Sequence, residues 1–334
     1  MKTAVLIVNY NTSDDLRACL QSLLATGAAA ESIYVADNAS TDGSWAMLQA
    51  EFPQVRSIRN SRNLYYAEAN TQLWDLSDSE WTMLLNPDVV GNFTDLATLP
   101  AKWDSDPRCA AVAPQLRFFD GRIQPSCRRL PDALTVWREF FDVLLRRPSR
   151  WKMGDFDHRS SRAVPQPMFS CIWIRRSAWR AVGDLDPRYP LFFNDVDWCH
   201  RALAAGFDIQ FDPSVAVLHR RGGSTGRQPL LQLWRSNFSF ARYILNSPGR
   251  TAVRSLGLLG LSLSFAARLP LLLFLPDCRL AGRAESSWDA FHPCRNQRRT
   301  TAGNPTVAAS RRRPTGTVPT PATAPPSAPR RDRD

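Results

Sequence analysis

The sequence predicts an α/β fold in which helices flank a mostly parallel central sheet. Short apolar segments alternate with amphipathic, helix-like segments over residues 1–90, an alternation typical of right-handed β-α-β units. The chain has 334 residues, of which 44% are hydrophobic. It is therefore long enough to bury a substantial core in one large domain or two.

The first quarter of the chain supplies the elements of this fold in order. They are a strand Ala4–Val8, a helix from Thr12 or Ser13 to about Thr26, a strand Ser32–Ala36, a helix from about Trp45 to Ala50, a strand Val55–Ile58, a helix Tyr66–Leu76 and a strand Trp81–Leu85. The hydroxyl of Thr12 or Ser13 is predicted to cap the first helix. No G-x-G-x-x-G follows the first strand and no G-x-x-x-x-G-K-[ST] occurs, so neither dinucleotide nor P-loop chemistry is indicated.

The strand Trp81–Leu85 ends abruptly at Asn86-Pro87. Proline has no N–H for a strand ladder, so Asp88 should lie just beyond the carboxyl end of this strand. Ligands of open α/β sheets bind outside the carboxyl ends of strands, and a carboxylate there can hold a divalent cation. The alternative is that Asp88 only forms an Asx-type turn after a core strand.

The net charge of +11 is concentrated near the C-terminus. Residues 278–334 contain 11 arginines and 4 acidic residues, a net charge of +7. The seven cysteines are odd in number and form no C-x-x-C pair, which favours free thiols in a reducing compartment. The apolar segment Ala4–Val8 is too short for a signal-peptide core, so we expect the protein body to begin in the cytoplasm.

Two helical segments are predicted after residue 227. Leu230–Leu245 is amphipathic, and Leu256–Leu275 is strongly apolar but interrupted by Arg268 and Pro270. Flanking arginines favour a helix that lies in the plane of a membrane interface. The alternatives are a membrane span and a helix buried in a homo-oligomer.

The composition changes again in the last part of the chain, which is rich in proline and arginine and is predicted to be disordered. Because this basic tail lacks interleaved aromatic residues, nucleic-acid binding is not predicted. The predicted organisation is an α/β domain over residues 1–227, membrane-associated helices over 228–276 and a disordered tail over 277–334.

Several short motifs occur in the order and approximate spacing of a known family. They are Val8–Asn11, Val35–Ser44 with the octet D-N-A-S-T-D-G-S, Asn63, Asn70, Leu84–Asp88, Trp173–Arg176, Val182–Asp186, Phe192–Asp197, Arg201, Ala205-Gly206 and His219. With these motifs, residues 3–226 resemble the inverting family 2 glycosyltransferases of the GT-A fold. The closest resemblance is to the rhamnosyltransferase-like branch that builds bacterial cell-envelope polysaccharides.

The resemblance implies a site for a nucleotide-sugar donor. Asp37 is expected to accept a hydrogen bond from the N3–H of uracil or thymine, and Asn9 and Asn38 are expected to line the nucleoside pocket. Asn63 and Asn70 belong to the same donor site. The alternative is that Asp37 and Asn38 only shape a turn.

The resemblance also implies a metal ion. Asp88 corresponds to the last acid of the family's D-x-D motif, in which Asn86 replaces the first acid. Asp88 and the donor diphosphate are expected to hold Mg²⁺ or Mn²⁺, which neutralises the leaving diphosphate. His219 corresponds to a family histidine that approaches the metal; alternatively it is a satisfied polar residue at the end of a strand.

By the same resemblance, Asp195 is the general base that deprotonates the acceptor hydroxyl. The family usually has Glu-Asp here, and Asn194 replaces the glutamate. Asp197 is predicted instead to form a helix ion pair with Arg201, four residues on.

Two further departures from the family pattern concern the cleft. Tyr65 replaces a glycine, and because tyrosine does not freely adopt a positive φ, we expect this loop to be reshaped or narrowed. The dipeptide Ser170-Cys171 stands where the family often has Gly-Ala.

The expected function is inverting transfer of a sugar, by the resemblance L-rhamnose, from a dTDP- or UDP-sugar to a saccharide or lipid-linked acceptor. We expect the enzyme to act peripherally on the cytoplasmic face of the inner membrane. One alternative is a catalytically impaired, donor-binding subunit of an envelope-assembly complex. Another is a nucleic-acid-associated protein that acts through its basic tail.

Overall fold

The computed structural model describes residues 3–91, 93, 98–220 and 229–274. All of them belong to the first of two compact units into which the chain divides, Met1–Pro293. The predicted tail over residues 277–334 and the end of the predicted apolar segment lie outside the described residues.

The described elements alternate between strands and helices in the first part of the chain. The strands are β1 (Thr3–Asn9), β2 (Ile33–Asp37), β3 (Arg56–Arg59), β4 (Trp81–Leu85), β5 (Val89–Gly91), β6 (Cys109–Arg117), β7 (Cys127–Arg128), β8 (Arg162–Ala163), β9 (Gln166–Pro167), β10 (Cys171–Arg175) and β11 (Asp208–His219). The helices are α1 (Ser13–Ala25), α2 (Ser44–Glu51), α3 (Tyr65–Asp75), α4 (Thr98–Trp103), α5 (Thr135–Leu144), α6 (Arg176–Val182), α7 (Asn194–Ala204), α8 (Pro229–Asn246) and α9 (Thr251–Phe274).

Nine of the described strands form the central sheet, in the order β3-β2-β1-β4-β10-β6-β11-β5, with β8 paired to β11. The first four strands of this order pair in parallel, and the register places Asn9 beside Asp37 and Ile7 beside Leu85. β10 runs antiparallel between β4 and β6, whereas β6 and β11 are parallel. β7 and β9 form a separate two-stranded sheet.

Both faces of the sheet are buried. Leu6 packs in a cluster that includes Trp74 of α3 and Trp198 of α7. The next residue along β1, Ile7, packs in the opposite cluster with Leu20 of α1. Because each face is covered by helices, the central strands β1, β2 and β4 are apolar without alternation, which is why they appear in the sequence as short continuous apolar runs.

The predicted boundaries of the first seven elements agree with the structure to within one residue, but the predicted cap of the first helix is wrong. Thr12 occupies the N-cap position without capping. Its hydroxyl donates instead to Asn9 Oδ1 at 2.7 Å. The Ser13 N–H donates to the carboxylate of Asp42 at 2.9 Å. The segment after β2 therefore supplies the acceptor for the start of α1.

A third cluster joins the C-terminal helices to the part of the chain that carries the central sheet. Phe240 and Tyr243 of α8 and Leu261 of α9 pack with Phe193 and Val196 around the start of α7. α8 and α9 agree with the two helical segments predicted from the sequence. The start of α7 therefore depends on α8 for part of its packing.

A bulge in β11, between Asp212 and Ala216, is stabilised by a buried carboxylate. Asp212 accepts hydrogen bonds from Trp103 Nε1 and from the Ser214 N–H, each at 3.0 Å, and pairs with Lys102 at 2.5 Å. Burial opposes ionisation, but these donors outweigh it and lower the pKa of Asp212 to about 2. The charged carboxylate therefore ties β11 to α4.

We expect Asp212→Asn to lower the free energy of unfolding at neutral pH by about 1–2 kcal/mol, because the ion pair and charge-assisted hydrogen bonds are lost. The folded-state pKa lies below the unfolded value, so this contribution is complete above about pH 4. It is lost as the pH falls through about 2. The stability difference between variant and wild type should thus narrow as acid is added, measured by thermal unfolding.

The matched control is Asp208→Asn. Asp208 lies on β11, like Asp212, and forms a more exposed ion pair with Arg108. We expect a loss below about 0.5 kcal/mol for this control. An Asp212→Asn deficit that stayed constant down to pH 3 would contradict the proposed role of the charge.

Candidate active site

Three neighbouring strands place polar side chains at one edge of the sheet. β1 ends at Asn9, β2 ends at Asp37, and Asp88 follows β4. Because β1 pairs in parallel with both β2 and β4, these three carboxyl ends lie together, at the edge where open α/β sheets bind ligands. All three side chains are buried.

The Asp37 carboxylate is held in one orientation by surrounding donors. Asn9 Nδ2 donates to Oδ1 at 2.9 Å, and the Ser40 N–H donates to Oδ2 at 3.1 Å. Arg59 Nε lies 3.8 Å from Oδ2. Asn9 also donates to Ser40 Oγ and accepts from Thr12. Asn9 therefore orients Asp37, and its predicted part in lining the nucleoside pocket stays a prediction.

Asn38 and Asn63 hold the loop that begins α3. Asn38 donates to the Tyr65 carbonyl at 3.0 Å and accepts from Asn60 at 2.9 Å. Asn63 Oδ1 accepts from the Tyr65 N–H at 2.7 Å. Tyr65 has a φ of +58°, which costs a residue with a β-carbon about 1–2 kcal/mol. The expectation that tyrosine reshapes this backbone is wrong, because hydrogen bonds at both its N–H and its C=O hold the left-handed conformation. The expected narrowing of the loop stays a prediction.

The Tyr65 side chain contacts the C-terminal part of the protein. Arg235 of α8 donates to Tyr65 Oη at 3.1 Å, and its guanidinium carbon lies 5.0 Å from the centre of the tyrosine ring. A cation over an aromatic ring stabilises such a contact. Tyr65 therefore links the loop at the start of α3 to α8, although Tyr65 and Arg235 are far apart in the sequence.

Asn70 and Ser170 support the same cleft through backbone contacts. Asn70 is buried, and its Nδ2 donates to the Tyr66 carbonyl at 2.9 Å. Tyr66 Oη donates to the Phe169 carbonyl at 2.7 Å. The next carbonyl, that of Ser170, accepts from the Asn86 N–H at 2.9 Å. The Asn70 side chain thus acts on α3, and its predicted contact with a donor stays a prediction.

Asp88 and His219 form the part of the site that best fits a cation. His219 Nε2 lies 3.4 Å from Asp88 Oδ1, and Nδ1 lies 3.0 Å from Oε1 of buried Gln124. An amide oxygen only accepts, so in the assigned orientation Nδ1 carries a proton, and when the ring is neutral Nε2 presents its lone pair to the carboxylate. Two acceptors that face each other fit a shared divalent cation.

This pair does not complete a coordination shell. Within the described ranges, no cluster of three or more His, Cys, Asp or Glu side chains is placed to hold a metal ion. Mg²⁺ commonly takes one or two carboxylates and completes its shell with substrate phosphates and water. The residues present therefore fit a metal that binds together with a diphosphate.

Asp195, at the start of α7, meets the short strand β9. Its Oδ2 accepts from Gln166 Nε2 at 2.8 Å, and its Oδ1 accepts from the Val196 N–H at 2.9 Å. Burial raises the pKa of the Asp195 carboxyl above its usual range, against the opposing effects of the Val196 N–H and the Arg128 charge. A carboxylate with a raised pKa is a stronger base once ionised.

The replacement of glutamate by Asn194 has a local structural reason. The Asn194 Nδ2 donates to the carbonyls of Leu191 at 2.9 Å and Tyr189 at 3.4 Å. An ionised glutamate has no hydrogen to donate to these carbonyls. The amide therefore closes the loop that precedes α7 and leaves Asp195 as the carboxylate of this segment nearest to Gln166.

The predicted ion pair of α7 is confirmed. Arg201 Nε lies 2.8 Å from Asp197 Oδ2, and Arg201 also donates to the carbonyls of Val182 and Asp184. Asp197 is thus engaged in a structural ion pair.

Sequence analysis missed Gln124 and Gln166. Gln166 reaches Asp195 because β9 pairs with β7, with Gln166 beside Arg128 in the register. Both glutamines lie in irregular segments or strands of two residues, where no periodic pattern marks them. The sequence shows only a glutamine in an irregular segment, and this residue type alone predicts neither burial nor a hydrogen-bond partner.

The order of strands and helices is similar to that of solved glycosyltransferases of the GT-A fold. A mannosyltransferase from Pyrobaculum calidifontis, solved with GDP-Man and Mn²⁺, matches with a TM-score of 0.51 at 16% identity, covering 86% of this chain and 84% of that chain. GalNAc-T7, solved with UDP, GalNAc and Mn²⁺, matches with a TM-score of 0.54 at 15% identity, covering 82% and 52%. These likenesses show that the chain has the GT-A fold, as predicted.

The sequence comparisons identify the family. The model of glycosyl transferase family 2 matches residues 4–182. A relative from Mycobacterium tuberculosis, named N-acetylglucosaminyl-diphospho-decaprenol L-rhamnosyltransferase, is 32% identical over 251 residues, which are 69% of this chain and 79% of the relative. The chain therefore belongs to glycosyl transferase family 2, in its rhamnosyltransferase-like branch, and is a glycosyltransferase.

We expect Gln166→Leu to shift the acid limb of the pH profile of sugar transfer to higher pH. The Gln166 N–H stabilises the ionised form of Asp195, so its loss should raise the pKa of that carboxyl further. The measurement is kcat/KM against pH. Gln49→Leu, on the surface of α2, is the control, and an unshifted profile for Gln166→Leu would remove Gln166 from this role.

Proposed function

We propose that the protein transfers L-rhamnose from dTDP-L-rhamnose to a lipid-linked saccharide acceptor, with inversion at the anomeric carbon. The M. tuberculosis relative, whose name specifies L-rhamnose and a diphospho-decaprenol acceptor, supports the sugar and the acceptor class. The observation that carries the mechanism is the Asp195 carboxylate, which is partly buried, has a raised pKa and is oriented by Gln166.

In the proposed reaction, Asp195 takes the proton of an acceptor hydroxyl. The hydroxyl oxygen bonds to the anomeric carbon as the bond from that carbon to the diphosphate oxygen breaks, and the nucleoside diphosphate leaves from the opposite face. A positioned general base accelerates such a step by about 10²–10⁴-fold. The Gln166 N–H donates to the carboxylate, which favours its ionised form and fixes its direction.

On the donor side, we propose that Asp37 accepts from the base N3–H, within a pocket shaped by Asn9, Asn38, Asn63 and Asn70. The hydrogen bonds that fix Asp37 and the α3 loop support this assignment. A preorganised carboxylate loses little freedom on binding, which favours selectivity for uracil or thymine.

We propose that Asp88 and His219 hold Mg²⁺ or Mn²⁺ together with the donor diphosphate. The metal would neutralise charge on the leaving group. The two facing acceptor atoms support this assignment, and Gln124 fixes the histidine ring so that Nε2 faces Asp88.

We further propose that the enzyme works on the cytoplasmic face of the inner membrane. Among the described helices, one is long and apolar enough to cross a membrane, over Thr251–Leu269. Its flanking arginines favour association in the plane of the interface. The proposed organisation keeps residues 1–227 as the transferase domain, 228–276 as the membrane-associated part and 277–334 as a separate tail.

Asp195→Asn should reduce transfer at least about 100-fold, because proton removal in the transition state is lost. Donor affinity should stay within about twofold, since the base acts on the acceptor. The assay supplies dTDP-rhamnose and a polyprenyl-diphospho-GlcNAc acceptor and determines the anomeric configuration of the product by NMR. Asp197→Asn is the matched control on the same helix. Wild type that binds donor without any turnover would favour the role of an impaired subunit.

Asp88→Ala should weaken donor binding only when a divalent cation is present, because the carboxylate acts through the ion. Thermal-shift titrations with the nucleotide sugar, in Mn²⁺ and in chelator, make the comparison; a ligand at about 100 times its dissociation constant stabilises by roughly 2.7 kcal/mol. Asp14→Ala, at an exposed ion pair of α1, is the control. An equal loss in both conditions would show that Asp88 only shapes its loop.

A further inference from the structure

We propose that the outward sides of α5, α8 and α9 form one surface, the helical face, that docks on an anionic lipid bilayer. This inference rests on the proposed lipid-linked acceptor and extends it, since it adds α5 and α8 to the apolar C-terminal segment. The observation behind it is a continuous band of exposed apolar side chains that crosses all three helices.

The apolar side chains that contact solvent are concentrated there. Of the 16 exposed large hydrophobic side chains in the described part of the chain, 13 lie on α5, α8 and α9 or directly beside them. The other three are Tyr10, Leu76 and Phe119. Scattered apolar residues are normal on a protein surface, but a contiguous patch marks an interaction site.

α5 presents an apolar stripe with helical spacing. Phe140, Phe141 and Leu144 are 49–62% exposed, and they lie at intervals of one helical turn from Trp137. The acidic residues of this helix turn away from the stripe. Glu139 accepts from Ser149, and Asp142 is buried beside Arg150. The outward side of α5 therefore has no carboxylate to repel an anionic surface.

α9 continues this stripe. Leu256, Leu259 and Leu263 are 45–54% exposed and share one side of the helix. On the adjacent side of α9, a β-carbon at Gly257 would collide with the Ala133 carbonyl, and one at Gly260 would lie 2.6 Å from the Trp137 ring. α9 therefore packs closely against α5, and their outward sides form one surface.

Tryptophan residues lie at both junctions between the three helices. Trp137 of α5 donates its indole N–H to the Leu256 carbonyl of α9 at 2.8 Å. Trp234 of α8 packs edge to face on Phe265 of α9, with ring centres 6.1 Å apart. Indole rings favour the boundary between lipid and water. The helical face is thus continuous from α5 through α9 to α8.

The charge around the helical face selects its occupant. Residues 229–274 contain no acidic residue. Of their five arginines, Arg268 is buried and Arg235 is bonded to Tyr65, so the cations beside the helical face include exposed Arg250 together with Arg146 and Arg147, which directly follow α5. Arginines around an apolar surface favour anionic lipid headgroups. A second copy of the same surface would bring like charges together, so a self-complementary dimer is disfavoured.

The inward side of α8 reaches the catalytic segment. Phe240 and Tyr243 contact Phe193, with ring centres 4.9 Å and 5.6 Å apart, and Phe193 lies two residues before Asp195. One helix diameter, about 10 Å, thus lies between the lipid-facing side of α8 and the proposed base. Docking on this face would bring Asp195 close to the membrane surface, where the sugar of a lipid-linked acceptor is presented.

The test uses the full chain and measures sedimentation with vesicles of phosphatidylcholine containing phosphatidylglycerol. We expect Phe140→Ser/Leu144→Ser to lower the partition coefficient about tenfold or more, and added salt to weaken wild-type binding. Leu76→Ser/Phe119→Ser, at equally exposed apolar residues outside the helical face, should bind as wild type. Nucleotide-induced thermal shifts verify that each variant is folded.

Unchanged sedimentation of the α5 variant would overturn the proposal. So would a wild-type dimer that this variant dissociates, since the face would then be a contact between copies. Transfer to a short-chain, water-soluble acceptor separates this inference from the proposed function. The α5 variant should retain that transfer and lose transfer to a long-chain acceptor in vesicles. If the proposed function is wrong, wild type transfers sugar to neither acceptor. The sedimentation of wild type and the α5 variant with vesicles still tests the docking surface in that case.

Discussion

The parallel pairing of β1 with both β2 and β4 is the constraint on which the site depends. It fixes Asn9 beside Asp37 in the register and places Asp88 at the same edge. A shift of one residue would turn every side chain of β1 to the other face of the sheet. Because each face is filled by its own cluster, the core holds this register. The register in turn sets the positions of the buried polar side chains at the strand ends.

The first four strands and three helices could be predicted from the sequence because their signals are local. A buried parallel strand is a short apolar run, and its end is marked by polar or breaking residues such as those at Asn86-Pro87. Asp37 and Asp88 could be singled out for the same reason. Their ligands and the assignment of Asp195 as base came from the family resemblance and remain proposals.

What the sequence could not supply depends on contacts between distant segments. β10 enters the sheet antiparallel between β4 and β6, an arrangement that alternation does not predict. Gln166 meets Asp195 only through the pairing of two strands of two residues. The local sequence predicts Thr12 or Ser13 as the N-cap of α1, because these residues stand at the start of the helix. In the structure, Asp42 accepts the hydrogen bond from the Ser13 N–H. Local propensity was overridden by tertiary contacts in each case.

The contact between Tyr65 and Arg235 restricts which substitutions the two positions can accept during evolution. A tyrosine with positive φ is tolerated where its backbone is held by Asn38 and Asn63 and its ring by Arg235. Loss of the arginine would leave a strained residue with an unsupported ring, and return of glycine at position 65 would leave the arginine without that partner. Positions 65 and 235 are therefore expected to covary in descendants of this protein. A change in the loop that begins α3 should then be accompanied by a change in α8.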